Sequence, residues 1–139
     1  MENKFDTLTT ELRSLLGDRC STGDSIIDLH SRDAAYTPPV KPHAVIFPEN
    51  TEEVSSIVKL CSEKNCPIVA FGVGSSLEGQ VVPVVGGVSV DFSRMNKITA
   101  VQTEDLIATV EPGVTRIQLN EYLRAVSYTH LTLPTTRHV

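Results

Sequence analysis

Two short apolar runs on either side of a helical stretch set the tightest limit on what this chain can fold into. Ala44-Val45-Ile46-Phe47 is closed by Pro48, and a second apolar run covers Pro67 to Phe71. Runs this short and rich in β-branched residues suit buried strands better than helices. Between them Val54, Ile57, Val58 and Cys61 recur at i, i+3, i+4 and i+7, the spacing of one helix face, and are expected to be core. Thr51 is the expected N-cap. Glu52 and Glu53 fall in the first turn, where the helix dipole favours anions, and Asn65 and Pro67 close the helix. Strand, crossover helix and strand make a βαβ unit, whose crossover should be right-handed.

The rest of the chain reads around that unit. Phe5, Leu8, Leu12, Leu15 and Leu16 follow helical spacing before Gly17, so residues 4–16 form an amphipathic helix, a packing element or a contact surface. Residues 20–43 hold Gly23, Pro38, Pro39 and Pro42 and read as loop with short extended pieces. Val88, Val90 and Phe92 alternate with Ser89 and Asp91, a period-two strand. Ile98–Val101 and Leu106–Val110 read as two strands joined by a polar turn. Pro112-Gly113 ends the second, and a last helix starts near Val114. The fold class is α+β: a βαβ unit leading into a mixed, mostly antiparallel sheet.

The segment with chemistry is Gly72-Val73-Gly74-Ser75-Ser76-Leu77-Glu78-Gly79-Gln80, directly after an apolar strand. Successive backbone N–H groups in a glycine-rich turn can converge on an anion, and the serine hydroxyls add donors. No Lys or Arg lies in the loop, which suits a pyrophosphate held by neutral dipoles rather than a transferable terminal phosphate. Gly79-Gln80-Val81 lacks the Gly-Lys-Ser/Thr ending of a nucleoside-triphosphate loop. The spacing G-x-G-x-x-x-x-G, followed by Pro83, is not the Rossmann fingerprint either. An ordinary surface turn would account for the same residues in isolation.

The loop is not isolated. Pro42-His43-Ala44-Val45-Ile46-Phe47-Pro48-x-x-Thr51-Glu52-Glu53-Val54 precedes it. Gly86-Gly87, Asp91-x-Ser93-Arg94-Met95-Asn96 and Val110-x-Pro112-Gly113 follow. In that order, over about residues 28–125, these motifs resemble the flavin-binding domain of the vanillyl-alcohol oxidase / p-cresol methylhydroxylase family. They are most similar to its D-lactate dehydrogenases and glycolate oxidase flavin subunits, where a like loop reads F-G-x-G-T-S-L-E-G; Ser75 keeps the hydroxyl of the usual threonine. The resemblance implies a partial p-cresol methylhydroxylase-type domain binding FAD. It implies that Gly72, Val73, Gly74, Ser75, Ser76 and Gly79 wrap the pyrophosphate, that Pro48 lies near the adenine end, and that Pro112 and Gly113 touch the cofactor from the next strand. It implies an enzyme that oxidises a 2-hydroxy acid of D-lactate or glycolate type by hydride transfer to the flavin. The same motifs would also serve a sugar-lactone or alcohol oxidase, an ether-lipid synthase, or a non-enzymatic domain without flavin. The family's second flavin-contacting half, substrate domain and catalytic histidines have no counterpart here, so no catalytic residue is assigned and the piece alone is expected to be inactive.

Other residues carry structural expectations. Asp91 and Arg94 are expected to pair at a strand end, and His30 and His43 to sit in loops. Cys20, Cys61 and Cys66 are too irregular for a disulfide framework or zinc site and read as free thiols of a reducing compartment. A net charge of −5 without a basic patch argues against nucleic acid. No apolar run approaches the roughly 20 residues of a membrane span, and the polar start shows no secretory signal, so a cytoplasmic setting is expected. A small-molecule substrate is expected, with a homo-oligomer or an electron-acceptor partner left open. Residues 1–27 form an N-terminal helix and lead-in, and 28–125 the partial domain. Residues 126–139 are expected to be non-native, because Val126-Ser127-Tyr128-Thr129-His130-Leu131 matches the translation of a sequencing-transposon end and interrupts the last helix.

Overall fold

The central element of the fold is the period-two strand at Val88–Asp91. The computed structural model describes residues 4–126, so nearly all of the suspected tail lies outside the described residues. In chain order the elements are α1 (Lys4–Leu16), β1 (Cys20–Ser21), α2 (Asp24–Leu29), β2 (Ala44–Ile46), α3 (Thr51–Glu63), β3 (Ile68–Phe71), β4 (Val88–Asp91), β5 (Ile98–Gln102), β6 (Ile107–Val110) and α4 (Arg116–Ala125). Strands β1 to β4 form one sheet in the order β1-β2-β4-β3, and β5 and β6 form a separate antiparallel hairpin. β4 lies between β2 and β3, parallel to both, while β1 adds to β2 antiparallel. The β2–α3–β3 crossover therefore skips one position, which β4 fills. The four-stranded sheet is mixed as expected, with parallel pairs at its centre and an antiparallel pair at its β1 edge, and the other antiparallel pair is the separate hairpin.

The two faces of the sheet are covered differently. Ala44, Ile46, Val88 and Val90 point to one face and pack with Leu8, Leu12 and Leu16 of α1 and Ile57 and Cys61 of α3 into a single cluster. α1 is thus a packing helix, although its Leu15 stays 45% exposed. Val45, Ser89 and Asp91 point to the other face, where α2 packs on β2. All four residues of β4 are buried, the polar Ser89 and Asp91 included.

Three local expectations need correction. Residues 24–29 are a helix, capped at Gly23, inside a stretch expected to be loop; six residues are too few to show a period. The N-cap of α3 is Asn50, whose side chain accepts from the Glu53 N–H, so Thr51 is the first helical residue. Val58 is 47% exposed and Val54 half-buried, because α3 turns Ile57 and Cys61 most directly to the sheet. The buried cysteines are free thiols, as expected.

Candidate functional site

Because β2, β3 and β4 run parallel, their C-terminal ends share one edge, the edge where open α/β sheets bind ligands. Pro48 follows β2, the glycine loop follows β3, and Asp91 to Met95 follow β4. The Phe92 N–H donates to the Phe71 carbonyl (3.0 Å), tying the exit of β4 to the start of the loop. The Gly113 N–H donates to the Met95 carbonyl (2.7 Å), and a Cβ on Gly113 would collide with the Phe92 carbonyl oxygen. The fold therefore gathers Pro48, Gly72–Gly79 and Pro112–Gly113 at one end of the sheet. Pro48 is fully buried there, so it shapes the edge from beneath.

The loop backbone is held open at two glycines. Gly74 has φ +70°, and a Cβ would lie 2.6 Å from Phe71 Cζ. Gly79 has φ +81°, and a Cβ would lie 2.6 Å from Thr37 Oγ1. L-residues pay roughly 1–2 kcal/mol for that left-handed conformation even where space permits. Between these points the N–H groups of Val73, Gly74, Ser75, Ser76 and Leu77 donate to no group among the described residues. The C-terminal half of the loop is internally bonded. The Gln80 side chain accepts from Ser76 Oγ and the Glu78 N–H, and the Gly79 N–H donates to Asp33 Oδ2 (2.9 Å). Five free donors in a glycine turn, on an exposed loop without a cation, are an arrangement that suits an anion.

Beneath this edge lies a pair that inspection of the sequence missed. His30, expected in a loop, is 1% exposed; its ring lies 4.1 Å from that of Phe71, under the loop. Its Nδ1–H donates to the Ile26 carbonyl (2.8 Å) and its Nε2–H to Asp91 Oδ2 (2.7 Å). Both ring nitrogens are thus engaged, one by a backbone carbonyl and one by a carboxylate. Burial alone would push the Asp91 carboxyl up; hydrogen bonds from His30 and Ser93 outweigh it and hold the group below its ordinary range. Asp91 therefore pairs with His30, not with Arg94, which reaches Glu49 instead (3.2 Å). The one available signal was Ile26 and His30 at i, i+4, too short a run to announce a helix. His43 is exposed, as expected, and stacks on Phe5.

Other chemistries find no support among the described residues. No cluster of His, Cys, Asp and Glu could hold a metal ion, and no helix is long and apolar enough to cross a membrane. Burial pushes the Cys61 thiol up to about 12 and the Cys20 thiol upward as well, so neither supplies a thiolate at neutral pH.

Residues 42–136 match the FAD binding domain family. The chain belongs to this family. Its cofactor is accordingly FAD. Among curated relatives, a probable mitochondrial D-lactate dehydrogenase of Danio rerio is 39% identical over 120 residues, covering 86% of this chain and 24% of the relative. The glycolate oxidase subunit GlcD of Bacillus subtilis is 41% identical over 106 residues, covering 76% and 22%. The crystal structure of p-cresol methylhydroxylase with substrate bound superposes with a TM-score of 0.83 at 28% identity, covering 92% of this chain and 26% of that one. The chain thus spans about a quarter of the length of these relatives. The mixed sheet of this FAD-binding domain is the p-cresol methylhydroxylase-type fold.

Proposed function

We propose that this FAD-binding domain is the N-terminal part of an oxidoreductase that oxidises a 2-hydroxy acid of D-lactate or glycolate type, and that Gly72–Gly79 receives the FAD pyrophosphate. The observation that carries the reading is the row of five unbonded N–H groups from Val73 to Leu77, at the C-terminal edge of the parallel strands. Gly72, Val73, Gly74, Ser75 and Ser76 supply backbone donors and Ser75 its hydroxyl, while the Ser76 hydroxyl, donated to Gln80, must turn to reach the phosphate. Gly79, whose N–H is already given to Asp33, supplies the turn. Pro48 borders the adenine end, and Pro112 with Gly113 closes the site from the β6 side. When bound, the flavin accepts the hydride equivalent from the substrate carbon. The residues described here bind and orient the cofactor, and the substrate site lies outside them. Turnover further requires an electron-acceptor partner. Three buried free thiols suit a reducing setting, which we take to be the cytoplasm.

The test uses the protein expressed from its complete gene. Gly74→Val sets a branched side chain against the Phe71 ring at positive φ and fills the space above the donors. It should lose flavin while the apoprotein still folds. Ser76→Ala should weaken FAD roughly tenfold to a hundredfold if the hydroxyl reaches the phosphate. Lys59→Ala, exposed on α3, should change nothing. FAD titration of Gly74→Val matching that of the Lys59 control would overturn the assignment.

A further inference from the structure

The loop that holds the free N–H groups is itself held from one side. Residues 30–37 reach the loop at Gly79, where Thr37 Oγ1 stands in the place of a side chain and Asp33 Oδ2 accepts the N–H, and reach the strand just before it through the His30 ring against Phe71. This segment is fixed at both ends. The Val40 N–H donates to the Ser31 carbonyl (2.9 Å), and buried Ser31 donates its hydroxyl to the Asp28 carbonyl (2.7 Å). Asp33 is fixed in turn, its Oδ1 accepting the Ala35 N–H (2.8 Å).

We propose that residues 30–37 form a brace for the phosphate loop, with Asp33 a positioning residue for FAD that acts through the Gly79 N–H. The proposal rests on the reading of Gly72–Gly79 as the pyrophosphate loop. A carboxylate beside an anion site would ordinarily repel the ligand. Here both carboxylate oxygens are engaged by backbone N–H groups, so what Asp33 offers the loop is a fixed end. A glycine loop with five N–H groups free of internal bonds samples many shapes. Cofactor affinity then falls with the fraction of time spent in the binding shape. The Asp33 tether and the Thr37 wall raise that fraction.

Tether and repulsion predict opposite signs. In the protein expressed from its complete gene, Asp33→Ala should weaken FAD binding about tenfold, the loss of one charge-assisted hydrogen bond, with the apoprotein melting point little changed. The Gly79 amide of the apoprotein should exchange with solvent markedly faster in the variant, while amides of α3 keep their rates. Asp33→Asn, close in shape but able to accept only one of the two N–H groups, should lie between parent and Asp33→Ala. It carries the test should Asp33→Ala fail to fold. Binding as tight as the parent's, or tighter, in either folded variant would overturn the brace. Gly74→Val is titrated alongside. If it loses FAD and the Asp33 variants do not, the brace alone falls; if it keeps FAD, the pyrophosphate reading falls and the brace with it.

Discussion

Replacing His30 by leucine should be among the most damaging single changes in the domain. The His30 ring is buried, and Asp91, 6% exposed, relies on it for one of its two oxygens. Without it the carboxylate keeps only the Ser93 contacts on the other oxygen. Removing one partner of a buried ion pair costs about 3–5 kcal/mol because the other charge is left uncompensated. That is a large part of the 5–15 kcal/mol that holds a typical domain. Asp91→Asn should be mild, about 1 kcal/mol: His30 keeps its Nδ1 contact with the Ile26 carbonyl, and the new amide can still pair with Nε2. His30→Leu with Asp91→Asn should cost less than His30→Leu alone, since no charge is then orphaned. The pH dependence changes sign between proteins. In the parent, the depressed Asp91 carboxyl contributes stability at pH above its ordinary value of 3.8, and this is lost as pH falls through the native value. In His30→Leu, burial without its counter-ion raises the carboxyl, so lowering the pH from neutral should partly rescue the variant. Urea unfolding of parent, single and double variants between pH 4 and 7, followed by circular dichroism, measures each quantity. A His30→Leu cost below about 1 kcal/mol, or a double variant at the sum of the singles, would refute the buried ion pair.

Two further outcomes follow from the same coordinates. Arg19 holds Glu53 through two hydrogen bonds (2.6 and 2.7 Å) and the Phe47 carbonyl through a third (3.2 Å), pinning α3 to the end of β2. The Arg19 hydrogen bonds draw the Glu53 carboxyl down from 4.5 to about 2. Glu53→Gln should cost about 1 kcal/mol at pH 7, as expected for a partly exposed bidentate pair, and the difference from the parent should vanish as pH falls from 4.5 towards 2; a gap in melting temperature independent of pH would contradict this. Ser89 Oγ is fully buried and has no hydrogen-bond partner among the described residues, so Ser89→Ala should leave stability unchanged or raise it by up to about 1 kcal/mol. A loss of 2 kcal/mol in urea unfolding would show that the hydroxyl has a partner after all.

Much of the domain was legible before any coordinates because local rules govern it. The heptad-like leucines of α1, the acidic first turn of α3, the breaks at Pro48 and Pro67 and the glycines of the phosphate loop each act within a few residues of chain, and spacing reveals them. The family resemblance works in the same way, as short motifs in order. What stayed hidden was decided by groups far apart in sequence. All four residues of β4 are buried, and the six-residue α2, invisible to periodicity, packs on its neighbour β2. Asp91 finds His30 across 61 residues and Gly79 finds Asp33 across 46, and no periodicity links such positions. The sequence determined by itself which stretches could be strand, helix or anion loop. Only the tertiary structure decided which polar groups would be buried together, because a buried charge is tolerable solely where the fold brings it a partner.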